Sequence, residues 1–352
     1  MLERFLLGFE GTRLTENVRA LLKQRLAGVA LFRRNWESVE GLLAMTEEIR
    51  AAAPAPVLIG LDQEGGTPFS LPEPFTQWPA PAELGRLGDV PVIEDIAAAM
   101  GRELRAVGVN LNFAPMLDLH VHPQSPVTRG RSFGSDPQRV AEMGAAVVRG
   151  MAREGILSCA KHFPGHGDAL ADPHVDLPAY SGDLARLRGA ELVPFAAAVR
   201  AGVPMVMTAH ILLPRVDPQW PASLSSQLLC GTLRKEMKFD GVILADDIGM
   251  GAIRKKYGLG EAAIRAFAAG TDLVALCHNP AAIAPVLACV EDAATKGEFN
   301  AEDTRASLER IPRLRNACAP LEKDRPALGV IGCAEHRALA EELQRKIASA
   351  KG

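Results

Sequence analysis

Aromatic residues are scarce: Phe, Trp and Tyr make up only 5% of the 352 residues, although 48% are hydrophobic, so a large core has to be aliphatic. Cysteine gives little to build with. Cys159, Cys230, Cys277, Cys289, Cys318 and Cys333 are scattered, with no CxxC pair and no regular spacing. In a chain of this size they read as reduced, mostly buried small hydrophobes. A charge excess is also missing. The formal net charge of −3 offers no electrostatic case for nucleic acid or an anionic membrane. Arg33–Arg34 and Lys255–Lys256 read as solvated surface. No stretch approaches the roughly 20 apolar residues of a membrane span. The first ten residues carry Glu3 and Glu10 rather than a basic leader and a cleavable apolar segment, so the expected location is cytoplasmic. There is no low-complexity linker, no internal repeat, and no GxGxxG after an early strand to favour a doubly wound open sheet.

What the chain does have is a series of short apolar runs: Phe5–Phe9, Val29–Phe32, Val57–Leu61, Val109–Phe113, Ile156–Ala160, Met205–Thr208, Val242–Ala245 and Leu273–Leu276. Most are continuous rather than alternating, as expected of parallel strands buried on both faces. Helical pattern lies between them, for example over Val92–Val107, Pro137–Glu154, Leu184–Ala201 and Ala262–Ala269. Eight strands alternating with helices predict an α/β fold of the (β/α)8 TIM-barrel type, with Val330–Ile331 as a candidate ninth run. Leu339, Leu343 and Ile347 recur at helical spacing and predict a helix packed on the body. The expected organisation is a single catalytic domain, 1–352. About 1–290 would form the barrel core, and 291–352 a helical C-terminal extension packed on it.

Active sites of such barrels form where the strands end at their C-terminal side. Val57–Leu61 runs into Asp62-Gln63-Glu64-Gly65-Gly66. Ile156–Ala160 runs into Lys161-His162-Phe163-Pro164-Gly165-His166-Gly167-Asp168. Met205–Thr208 is followed by His210, and Val242–Ala245 by Asp246-Asp247. Each is open to a plain structural explanation as a loop cap or hydrogen-bond anchor, but four such ends on one mouth point to a polar site.

The run from Lys161 to Asp168, followed by Asp172-Pro173-His174-Val175-Asp176-Leu177-Pro178, resembles the signature of family 3 glycoside hydrolases. Specifically, it resembles their single-domain β-N-acetylglucosaminidases of peptidoglycan recycling. The likeness extends from Phe9-Glu10-Gly11-Thr12 through Asp62–Gly66, Asn112-Phe113-Ala114-Pro115 and Arg131-Ser132-Phe133-Gly134 to Ala245-Asp246-Asp247-Ile248-Gly249-Met250. The resemblance implies a retaining, exo-acting enzyme that removes terminal β-linked GlcNAc, as from GlcNAc-1,6-anhydroMurNAc muropeptides. Asp246 would be the nucleophile, with an Asp172–His174 dyad transferring the proton. Asp62, Arg131, Lys161 and His162 would hold the sugar.

The chemistry suits those residue types. Retaining hydrolysis needs an anion against the developing oxocarbenium charge and a proton donor near the leaving oxygen. Histidine titrates near neutrality, a neighbouring carboxylate orients it, and it avoids placing a second anion beside Asp246. Asp247 would hold the loop by hydrogen bonds, His210 would be a satisfied polar residue, and Gly165 and Gly167 would let the loop close. Competing structural readings are a helix cap for Asp246, an Asx turn for Asp172 and a surface location for Arg131.

One position departs from the family pattern. Relatives carry Arg-Val-x-Arg after Asp-Gln-Glu-Gly-Gly, where this chain has Thr67-Pro68-Phe69-Ser70. Losing a charged hydrogen bond to a sugar hydroxyl weakens binding by about 1.5–3 kcal/mol if nothing compensates. Other readings stay open: a phosphorylase, another family 3 β-glycosidase, a degenerate sugar-binding protein, or a metal-dependent hydrolase using His162, His166, Asp168 and His174. The reading adopted needs no cofactor or metal. Its partner is a small carbohydrate, with no nucleic acid or membrane, and the chain is expected to be a monomer.

Overall fold

Eight short strands close into a parallel barrel: β1 (Phe5–Leu7), β2 (Gly28–Ala30), β3 (Leu58–Leu61), β4 (Leu111–Asn112), β5 (Leu157–Phe163), β6 (Met205–Thr208), β9 (Val242–Ala245) and β10 (Leu273–Leu276). Neighbours around the ring run β1-β10-β9-β6-β5-β4-β3-β2. The computed structural model describes residues 1–66, 71–318 and 324–350. All eight predicted runs supply barrel strands. They look continuous in sequence because both faces are apolar. Leu6, Leu58, Leu111, Cys159, Met205, Leu244 and Ala275 cluster with one another. Phe5, Leu7, Ile59, Val274 and Leu276 instead join the layer packed against helices.

The helices begin where local chemistry favours it. Ser38 accepts from the Gly41 amide at the start of α2 (Val39–Ala52). Asp89 caps α4 (Val90–Ala106), and Asp136 accepts from the Gln138 and Arg139 amides ahead of α5 (Pro137–Arg153), whose first residue is proline. Each cap satisfies amides that the helix itself leaves unpaired. Of the remaining helices, α1 covers Glu16–Lys23, α3 Pro81–Leu87, α6 Leu184–Gly189, α7 Leu192–Arg200, α8 Gly251–Arg254, α9 Leu259–Ala268 and α10 Ile283–Thr295. The single helix expected over Leu184–Ala201 is thus two. The break falls at Ala190–Glu191, where the Glu191 side chain is buried against the Tyr180 hydroxyl rather than facing solvent along a continuous helix.

Two elements escaped the sequence pattern. A hairpin of β7 (Leu212–Leu213) and β8 (Asp217–Pro221) follows β6, and a π-helix spans Gln227–Glu236. Val330–Ile331 is no ninth strand; a 3-10 turn covers Leu328–Val330.

The end of the barrel away from the mouth is closed by α11 (Ala301–Cys318). Ile311, Leu314 and Cys318 join the barrel-interior cluster. Arg313 and Arg310 bond Asp240, and Arg315 bonds the Pro56 carbonyl; both positions lie just before strands. The last helix, α12 (Ala334–Ser349), buries His336, Ala340, Leu343 and Ile347 on one face. His336 meets the buried Glu103 of α4 at 2.7 Å. The core boundary expected near 290 falls inside α10. No helix among the described residues is long and apolar enough to cross a membrane.

Candidate active site

The open mouth holds a cavity of about 370 Å³, floored by Leu6, Phe113, Met207, Leu244 and Ala275. Six of the seven residues expected at the site line it: Asp62, Arg131, Lys161, His162, His174 and Asp246. The seventh, Asp172, stands behind His174.

β5 is three residues longer at the mouth than its apolar run suggests, and a register shift between Ala160 and Phe163 carries Lys161 and His162 within the strand. Such irregularities re-aim side chains, and here two consecutive residues both face the cavity. Lys161 Nζ bonds Asp62 and lies 2.6 Å from Glu64 Oε1. Glu64 also takes a two-pronged contact from Arg131, at 2.9 and 2.7 Å. Arg131 is therefore a member of the site's charge network, not a surface residue. Burial opposes ionisation of Glu64, but Lys161 and Arg131 outweigh it and lower its pKa. Burial likewise works against Lys161, and Asp62 and Glu64 hold it charged.

Asp118 organises the next layer. This fully buried carboxylate accepts the His162 and His166 main-chain amides at 3.2 and 2.8 Å, and faces their Nδ1 atoms at 2.8 and 3.1 Å. A carboxylate accepts, so both rings carry their proton on Nδ1. Burial lowers the His162 pKa despite Asp118, and with the proton on Nδ1 the ring's other nitrogen, Nε2, is its acceptor atom. Asp118 itself is held well below the usual carboxylate range: burial pushes up, and the two imidazoles pull down harder. Among the described residues, Asp118, His162 and His166 also form the one group whose ligand atoms could close on a cation. The four-residue metal set considered from sequence is not assembled. Asp168 turns to Ser181 and Arg186, and His174 turns to Asp172.

At the end of β9, Asp246 is partly accessible through the cavity yet crowded by protein atoms, and accepts the Asp247 amide at 2.8 Å. Burial would raise its pKa; the imidazoles of His210 and His162, the Asp247 amide and His174 together lower it. Asp247 points away into structure: it accepts the Gly249 and Cys277 amides at 2.8 and 3.0 Å and pairs with His278. His210 has both ring nitrogens satisfied. Its Nε2 donates to the Asp247 carbonyl at 3.0 Å, so its Nδ1 accepts from Ser223 at 2.7 Å.

The loop between Asp168 and Pro178 carries the last pair. His174 Nδ1 lies 2.8 Å from Asp172 Oδ1, and the His174 amide donates to the same oxygen at 2.9 Å. The Asx turn and the side-chain pair are the same structure, not alternatives. Burial raises the Asp172 pKa, and the His174 amide and ring together overcome it and lower it. The His174 side chain is 64% exposed. The glycines upstream serve packing: a Cβ on Gly167, whose φ is +53°, would sit 2.3 Å from the Tyr180 ring, and one on Gly165 3.0 Å from Glu191. Thr67-Pro68-Phe69-Ser70 lies outside the described residues.

Sequence reasoning missed Asp118, Glu64 and His278. Asp118 had a signal, a single charge inside the apolar run Ala114–Leu119; the other two declare themselves only through partners distant in sequence.

The pattern of the glycosyl hydrolase family 3 N terminal domain matches residues 6–314. A β-hexosaminidase of Alkalilimnicola ehrlichii is 38% identical over 299 residues, covering 83% of this chain and 85% of that one. A β-hexosaminidase of Neisseria meningitidis is 40% identical over 276 residues, 76% of each chain. Among solved structures, a family 3 β-N-acetylglucosaminidase from Paenibacillus superposes with a TM-score of 0.92 at 35% identity, covering 98% of this chain and 67% of that one. NagZ from Neisseria gonorrhoeae, in complex with N-trifluoroacetyl-D-glucosamine, gives 0.77 at 32% identity and 97% coverage of both. The chain belongs to glycosyl hydrolase family 3 and is a glycoside hydrolase.

Proposed function

We propose that this glycoside hydrolase is a retaining exo-β-N-acetylglucosaminidase acting on terminal β-linked GlcNAc, such as that of GlcNAc-1,6-anhydroMurNAc muropeptides in cytoplasmic peptidoglycan recycling. The observation that carries the reading is the shared cavity of Asp246 and His174, with Asp172 fixing the His174 ring from behind. A cavity of about 370 Å³ with a closed floor favours one terminal sugar over the interior of a chain. Residues 1–352 act in this reading as one catalytic unit that needs no cofactor and works as a monomer.

In the first step an Asp246 carboxylate oxygen attacks the anomeric carbon. The bond from that carbon to the leaving oxygen breaks, and the proton on His174 Nε2 passes to the leaving oxygen. In the second, water attacks the anomeric carbon, its proton goes to His174 Nε2, and the bond to Asp246 breaks to restore the carboxylate. Asp172 keeps the Nδ1 proton engaged, so Nε2 is the nitrogen that exchanges protons. Asp62, Arg131, Lys161 and His162 hold the sugar hydroxyls, with charged hydrogen bonds from the cations and an acceptor at His162 Nε2.

Turnover of 4-nitrophenyl β-GlcNAc by wild type, Asp246→Ala and His174→Ala tests this, with loss expected in both variants. A wild type that cleaves no aryl β-GlcNAc and no muropeptide sinks the reading. A phosphorylase is the second reading, favoured by a proton-transfer group that carries no negative charge to repel phosphate. Identifying the sugar product with and without phosphate separates the two.

A further inference from the structure

We infer that Gly251 is a positioning residue for catalysis: the room left by its absent side chain is the seat on which the Asp172–His174 loop docks beside Asp246. The inference rests on reading Asp172–His174 as the proton-transfer pair, and it concerns what holds that pair in place.

Apart from the buried Pro173, the loop tip has few side-chain contacts to hold it. Both His174 and Val175 are largely exposed, and the side-chain bonds of Asp172 stay within its own turn. Two main-chain hydrogen bonds tie residues 172–176 to another element. The Gly251 amide donates to the His174 carbonyl at 3.2 Å, and the Ala252 amide donates to the Pro173 carbonyl at 3.0 Å. Both amides open α8, where a helix has no internal acceptors for them.

A Cβ on residue 251 would lie 2.5 Å from the His174 carbonyl oxygen and 2.6 Å from that of Val175. Main-chain atoms cannot swing aside as a flexible side chain does, so a methyl group there lifts the tip. Gly251 is not among the glycines with positive φ. Its backbone would suit alanine, and the close approach of the loop is what requires glycine.

The seat is also rigidly joined to Asp246. From Asp246 the chain enters Asp247, whose carboxylate is pinned to Gly249, Cys277 and His278. The Asp247 carbonyl accepts the Met250 amide at 3.0 Å, and Gly251 follows. One short stretch therefore carries the nucleophile at one end and the seat of its proton-transfer partner at the other. Lifting the tip displaces His174 but leaves Asp246 and the sugar-holding residues untouched.

The test compares wild type, Gly251→Ala, His174→Ala and the control Gly258→Ala, whose added Cβ meets nothing within 4 Å. Each is assayed on phenyl β-GlcNAc, whose leaving group needs a proton, and on 2,4-dinitrophenyl β-GlcNAc with azide, which needs neither acid nor base. Gly251→Ala should lose about 10²-fold in kcat on the phenyl substrate with KM nearly unchanged, the cost of a roughly 1 Å misplacement. It should recover on the activated substrate with azide, releasing the glycosyl azide. Its melting temperature should stay near that of wild type, protease should cut residues 168–178 faster, and Gly258→Ala should match wild type throughout.

Wild-type rates in Gly251→Ala, or equal losses on both substrates, overturn the inference. If His174→Ala itself shows no azide rescue, the proton-transfer reading fails instead. Amide exchange in wild type then judges the seat alone, even should Gly251→Ala not fold: exchange of the Gly251 and Ala252 amides at free rates contradicts it.

Discussion

The two loops that bring imidazoles to the mouth are built in opposite ways. The end of β5 is buried, and four N–H groups from His162 and His166 converge on one carboxylate, Asp118. Eight residues beyond His166, the Asp172–His174 turn buries Pro173 but exposes His174, and two main-chain bonds tie it to the body. The sugar-holding side is over-determined by buried electrostatics, which fixes geometry at high energetic stakes. The proton-transfer side keeps its internal geometry through a local turn, while its placement depends on weak docking. In the reading proposed here, the proton-transfer pair sits on a loop with few contacts to the body, the kind of segment that opens at low free-energy cost.

The sharpest way to break this contrast is to remove each organising carboxylate. Asp118→Ala strips a buried anion from two imidazoles and two amides. It should cost about 3–5 kcal/mol of stability, read by chemical denaturation. Asp172→Ala should leave stability within about 0.5 kcal/mol of wild type. Comparable losses in the two variants would erase the distinction.

Activity should rank the other way on the exposed loop. His174→Ala is expected to lower kcat on phenyl β-GlcNAc by about 10²–10⁴-fold with little change in melting temperature. A variant that keeps wild-type kcat would remove His174 from the chemistry.

A smaller effect separates the regions by pH. Glu64 and Asp118 have lowered folded-state pKa values, so their stabilising contribution is present above the unfolded carboxyl range and is lost as pH falls through the folded values. Denaturation between neutral pH and about pH 2 should show a steep acid loss that Asp172→Asn leaves largely in place. The smallest change belongs to His278, whose pKa is raised by its bond to Asp247. Its contribution is complete below its unfolded pKa of about 6.5 and fades as pH rises through the folded value. His278→Ala should flatten that shallow alkaline decline, and an unchanged slope would show the pair is not felt.

The barrel was legible because burial on both faces leaves strands as plain apolar runs, and because helix caps such as Asp136-Pro137 announce themselves locally. The hairpin was not: Asp217-Pro218-Gln219-Trp220-Pro221 carries two prolines and exposed positions, the reverse of a buried strand's pattern. At the site, residues directly after strands were readable one by one, since the fold sends every such end to the same mouth. Glu64 stands two residues beyond Asp62, yet its hold on Arg131 spans 67 residues and is a three-dimensional fact. Gly251 is similar. A glycine chosen for the approach of another loop looks, in sequence, like any other small residue.

The central claim is that Asp246 carries the sugar between two steps in which His174 moves the proton. Incubation with a 5-fluoro-β-GlcNAc fluoride, followed by peptide mass spectrometry, tests it most directly. The account predicts a single glycosylated peptide with the label on Asp246, accumulating further in His174→Ala. A label on another carboxylate, or turnover of substrate with no trapped intermediate under any condition, would contradict it.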